Sequence, residues 1–152
     1  MFIVFAVVSI TAPTLGVVVG GKISEKLGGY TGKNALLFCF ICSILASLLA
    51  FPIPYINRFE VVSVLLWLEF FVGGAILPTL TGLMISSIQK NMRNIGNSVA
   101  QFVQNLIGYI PAPILYGLVN DFTGGDDSRW GMVMLMSWSL FAVIALGVAY
   151  YF

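Results

Sequence analysis

At 152 residues the chain is 59% hydrophobic and only 9% charged, with a mean hydropathy of +1.00. Soluble domains carry about 25% charged residues, and a body this small cannot hide so much apolar surface in its own interior, which argues against a soluble globule. A net charge of +1, no histidine and no basic run leave a nucleic-acid partner without electrostatic support.

Apolar runs of about 18 residues or more read as membrane helices, and the alternation of a β-barrel strand is absent. The expected fold is an all-α integral membrane domain, a single unit of five transmembrane helices. They cover about residues 1–21, 34–53, 61–88, 95–120 and 130–152, each near the roughly 20 residues that cross a bilayer core.

The first segment has no basic stretch before its apolar run and is followed by a charged loop, so it reads as a span and not a signal peptide. Thr11 and Thr14 flank Pro13 at a depth where they could face a polar path. Gly16 and Gly20 form a G-x-x-x-G step, a spacing that means close helix packing. The second segment holds the C-x-x-C pair Cys39 and Cys42, with no charged neighbours to activate a thiol and no further metal ligands. They read as two small buried hydrophobes on one helix face, and no metal site, cofactor or catalytic group is expected.

The third segment carries Glu69, the only ionisable residue well inside a predicted span. It lies nine residues past Glu60, about 13 Å deep at helical rise and near the midplane. A carboxylate there is costly unless it is paired, wet or protonated, so it marks a functional site or a protonated helix–helix hydrogen bond. Its candidate roles are proton carrier, counter-charge for a cation, or hydrogen-bond anchor. Gly73, Gly74 and Pro78 soften the helix a turn or more further on.

The fourth segment has Ser98, Gln101, Gln104 and Asn105 at three- and four-residue spacing, placing the last three on one face. Amides in a membrane either join helices or line a polar cavity. Three at one level favour a cavity wall. The same segment continues through Gly108, Pro111, Pro113 and Gly117 to Asp121. Proline removes a backbone donor and crowds the preceding turn, and in lipid the freed carbonyls need cover. The stretch therefore reads as a bent helix packed within a bundle, its prolines forming a flexible gate above the amides. The last segment opens on Trp130 and closes on Tyr150–Phe152, as interfacial belts do. Met132, Met134 and Met136 read as filler.

Loop charges give an orientation. The first and third loops hold Lys22, Lys26, Lys33, Lys90 and Arg93, whereas the second and fourth hold Arg58 and Arg129 with Asp121, Asp126 and Asp127. The positive-inside rule makes the first and third loops cytoplasmic, or the equivalent side of an organelle. No nucleophile–base pair, metal cluster or nucleotide fingerprint is present, so an enzyme is not expected.

Two stretches resemble a known family. Gly21-Lys-Ile-Ser-Glu25-Lys26-Leu-Gly28, between two spans, resembles the G-x-x-x-[D/E]-[R/K]-x-G signature of the major facilitator superfamily. Where that pattern continues with two basic residues, this chain has Gly29 and Tyr30, and Lys33 comes later. Gly108-Tyr-Ile-Pro111-Ala-Pro113-Ile-Leu-Tyr-Gly117-Leu-Val-Asn-Asp121 is similar to the eleventh helix of organic-anion-transporter-like and spinster-like members. The resemblance implies that the five helices are the eighth to twelfth of twelve, a partial C-terminal half-bundle of that fold. It also implies that Gly21, Glu25, Lys26, Gly28, Gly108, Pro111, Pro113, Gly117 and Asp121 serve gating.

The implied function is the C-terminal portion of a secondary active transporter for a small organic solute, such as an organic anion or a lipid-like molecule. Glu69, Gln101, Gln104, Asn105, Thr11 and Thr14 would face the path. Its partners would be the bilayer, the solute, and an N-terminal transporter half or other membrane subunits. The alternative is a truncated, non-transporting remnant that serves as a structural subunit of a larger membrane complex.

Overall fold

The computed structural model describes residues 2–30, 32–123 and 129–151; Asp126 and Asp127, used above for orientation, and the two chain-end residues lie outside them. Every described element is helical. The order is α1 Phe2–Lys26, α2 Lys33–Ala50, α3 Phe59–Ser87, α4 Arg93–Val103, α5 Pro111–Thr123, α6 Trp130–Ser137 and α7 Ser139–Tyr151. Short 3-10 turns precede α3 and α4, and a π-helical turn, Gln104–Tyr109, joins α4 to α5. Five stretches are long and apolar enough to cross a membrane: Ile3–Lys26, Lys33–Tyr55, Phe59–Ser87, Lys90–Thr123 and Trp130–Tyr151. The protein is thus an all-helical chain with the make-up of a multi-pass membrane protein.

α1 runs past the expected end at residue 21. No breaker occurs before Gly28, so Gly21–Lys26 of the signature stretch lie in the last turns of the helix and not in a loop. The helix stops at Gly28 and Gly29, whose φ values of 99° and 86° require glycine. Gly28 N–H donates to the Glu25 carbonyl at 3.3 Å and Gly29 N–H to the Ser24 carbonyl at 3.0 Å, a Schellman stop.

α3 is the hub. α1 packs along it most extensively and α2 next; α7 lies on α2, and α5 lies on α6. The α1–α3 seam is close because three glycines face backbone. A side chain at Gly16 would strike the Phe71 carbonyl oxygen, and one at Gly20 the backbone of Ala75. A Cβ at Gly74 would lie 2.6 Å from the Pro13 carbonyl oxygen. Hydroxyls tie the seam at both ends. Ser24 and Thr79, both buried, hydrogen-bond to each other, and Trp67 Nε1 donates to Thr11 Oγ1 at 3.2 Å. α2 buries Ala35, Cys39, Cys42 and Ser43, which recur at helical spacing, and both thiols are free.

The ends of the helices are cross-tied. Ser86 Oγ donates to the Tyr30 carbonyl at 3.4 Å, which puts the loop after α1 beside the end of α3. At the other end Arg129 Nη2 donates to Asn57 Oδ1 at 3.0 Å, bringing the start of α6 to the loop after α2.

The fourth span, expected as a bent helix packed within a bundle, is not packed within one. It is one helical run with a π-helical turn at Gln104–Tyr109, and it lacks the expected packing, because residues 101–110 are all exposed. The fifth is interrupted at Trp138, where α6 gives way to α7. Accordingly the accessible surface is 10236 Å², against about 7,600 Å² expected for a compact soluble monomer of this mass. The excess is apolar helix flank suited to lipid or to further helices.

The seam yields a stability test. Gly20→Ala places a methyl against the backbone of Ala75 and is expected to destabilise the purified protein by about 1–3 kcal/mol. Gly21→Ala, where the added carbon meets nothing within 4 Å, should leave thermal unfolding in detergent unchanged. Equal melting of the two variants would disprove the close approach.

Candidate functional site

One face of α3 carries two largely apolar hollows with a few polar groups in their walls. Glu69, Gly73, Leu77, Leu80, Met84 and Ser87 recur at three- and four-residue spacing and so share that face. Two cavities lie along it and meet at Leu77, which lines both. From Glu69 to Ser87 the furrow spans about 27 Å of helix.

The larger hollow, about 760 Å³ and open on one side, lies between α3, α4 and the end of α7, with Leu36 of α2 at its edge. α4 contributes Asn97 and Gln101, and Gln104 joins them from the start of the π turn; α3 contributes Thr81 and Ser87 among leucines. The placement comes from the amphipathic pattern of α4. Its amides face α3, while Ile95, Val99 and Phe102 point outward and are 68%, 56% and 65% exposed. In water this would be inside out; in lipid it is the stable arrangement, because the apolar stripe meets acyl chains.

The smaller cavity, about 440 Å³, holds Glu69 with Phe70, Gly73 and Gly74 of α3, Ser9 and Pro13 of α1, and Ala46 of α2. Glu69 Oε2 is buried and has no hydrogen-bond partner. Nothing ionisable from α1 or α2 lines this hollow.

The remaining expected residues lie elsewhere. Asn105 is exposed on the π turn and does not line the amide cavity with Gln101 and Gln104; its carbonyl accepts from Ile110 N–H at 3.0 Å. Thr11 Oγ1 donates to the Val7 carbonyl at 2.7 Å and receives Trp67, so it belongs to the α1–α3 seam. Thr14 is exposed and donates to the Ile10 carbonyl at 2.6 Å. Glu25 and Lys26 are exposed in the last turn of α1. Side chains added at Gly21, Gly108 or Gly117 would meet nothing within 4 Å. Pro111 and Gly117 are half-buried, whereas Pro113 and Asp121 are exposed.

The break in the fourth span falls one turn earlier than the prolines themselves. Pro111 and Pro113 have no N–H to give the carbonyls of Ile107 and Tyr109, and their rings crowd those same carbonyls. Widening the preceding turn to i→i+5 bonding relieves the crowding, and such π turns cluster at functional sites.

Sequence reasoning missed Asn97, which stands four residues before Gln101 and so shares its face. It also missed Asn120. That side chain is buried, and its Oδ1 accepts from Gly131 N–H at 3.1 Å, so α5 caps the start of α6. The signal for Asn97 was present in the spacing. Asn120 carried none, because its partner lies eleven residues away across a loop.

Compared with known proteins, the chain matches no family model, no curated protein and no solved structure.

The amide cavity has a direct check. Gln101→Cys and Gln104→Cys are expected to react with a charged, membrane-impermeant maleimide, while the buried native Cys39 and Cys42 stay unlabelled. Protection of both introduced thiols would mean that lipid or another helix fills the space.

Proposed function

We propose that this chain is the C-terminal portion of a secondary active transporter of major facilitator type, supplying one wall of a path for a small organic solute. The observation that carries the reading is the furrow on α3, with an unpartnered carboxylate oxygen at one level and three amides at another. A structural helix pair would satisfy such groups against each other. Here they line open space, where a solute can exchange with water. The π turn beginning at Gln104 supports the reading, since softened helices around a midplane site are typical of transporters. The signature-like stretch at the end of α1 and the proline-glycine pattern of α5 give the family assignment its support. By that resemblance the basic loops are cytoplasmic, and the solute is a small organic molecule.

The second reading, a non-transporting subunit, is favoured by the exposure of residues 101–110, which would then be covered by partner helices. The mass of the native polypeptide separates the two. A mass suited to twelve helices favours transport, and about 16.5 kDa favours the subunit.

Glu69 is assigned the coupling role. In vesicles holding the native protein, an imposed pH gradient is expected to drive uptake, and Glu69→Gln to abolish the pH-driven component without lowering the amount of protein in the membrane. Gln101→Ala combined with Gln104→Ala should lower uptake about tenfold, the effect of losing membrane hydrogen bonds worth about 1–2 kcal/mol. Uptake that kept its pH dependence after Glu69→Gln would refute the coupling role.

A further inference from the structure

The hollow around Glu69 differs in chemistry from the amide cavity, and we infer that it is a binding site for an organic ammonium cation. Among the described residues, Glu69 is the one acidic or basic side chain more than a few positions from the end of its span. Its Oε2 is buried without a hydrogen-bond partner, so the carboxyl group at the hollow carries an unsatisfied acceptor. No lysine or arginine lines the hollow to take that role. An anionic solute would meet a carboxylate there with nothing to neutralise it, and like charge in a low-dielectric setting is strongly unfavourable.

The rest of the lining selects among cations. An inorganic ion stripped of water needs about six or more oxygen ligands. The hollow offers the two oxygens of Glu69 and the hydroxyl of Ser9 among side chains, and its other walls are Phe70, Pro13, Ala46, Leu77 and glycines. No group of three or more metal-ligating side chains occurs among the described residues. Such walls suit a cation that brings its own hydrocarbon. An alkylammonium head donates to Glu69, its body lies against apolar carbon, and Phe70 adds an aromatic face of the kind that attracts ammonium groups. The volume of about 440 Å³ is that of a small-molecule site. Gly73, where an added carbon would meet nothing within 4 Å, keeps the wall low on one side of the hollow, and Pro13 of α1 closes over Gly74 on the other.

This site would name the solute class of the proposed path, and its physiological role rests on the transport reading, although binding does not. The test uses two probes of one shape and opposite charge, 4-phenylbutylamine and 4-phenylbutyrate, with the native protein purified in detergent. Saturable binding of the labelled amine is expected, with no competition by the carboxylate. Glu69→Gln should weaken amine binding at least about tenfold, or about 1.4 kcal/mol. Glu69→Asp, which keeps the charge, should retain part of it, and so separates lost recognition from lost folding. The inference is overturned if the carboxylate probe binds and the amine does not, if neither binds saturably, or if Glu69→Gln binds the amine like the unsubstituted protein. Saturable amine binding without uptake into vesicles would instead sink the transport reading and leave the site standing. Uptake of the anion alone would do the reverse.

Discussion

The contact between α1 and α3 is the constraint on which the remaining arrangement depends. In lipid the hydrophobic effect gives helices no reason to associate, so packing and hydrogen bonds must do it. Gly16, Gly20 and Gly74 let the two backbones touch, and the Ser24–Thr79 and Trp67–Thr11 bonds fix the helices along and across one another. α1 approaches α3 at Gly74, and the helix flank from Glu69 through Leu77, Leu80 and Met84 borders the hollows beside that contact. The furrow thus runs beside the seam.

Much of this plan was legible in the residues. Five long apolar runs separated by polar loops specify five spans with little ambiguity, because a bilayer imposes both length and composition. The G-x-x-x-G step of α1 and the paired cysteines of α2 also read correctly as packing features, since small residues at helical spacing have few other uses. Helix ends were less legible. The charged residues Lys22, Glu25 and Lys26 suggested a loop, yet charge at a helix end only needs to reach the interface, and the chain remained helical until two glycines could turn it.

The site was legible in part, for a geometric reason. Periodicity says which residues share a face of one helix; it does not say what faces them. It grouped Glu69 with Gln101, Gln104 and Asn105 by depth, whereas the structure distributes them over two hollows joined at Leu77 and leaves Asn105 outside both. The π turn explains the last difference. A run of i→i+5 bonds rotates the downstream residues relative to a regular helix, so a face extrapolated from Gln101 is no longer valid once the turn begins at Gln104. Asn120 lay beyond reach because its bond to Gly131 bridges two helices.

The fourth span shows how these constraints combine in one segment. Its first piece, α4, touches α3 only slightly, and its last piece, α5, is held to α6 by the Asn120 cap. Between them lies the turn whose carbonyls have lost their donors to Pro111 and Pro113. A segment held at one end and short of backbone bonds in its middle deforms most easily there, since a helix with a full set of backbone bonds resists deformation. A bend at Gln104–Tyr109 would shift the amide wall of the larger cavity. It would leave Glu69 in place, because α3 is locked to α1. One polar group set is therefore carried by a helix that touches α3 only slightly, and the other by the helix that α1 holds most extensively.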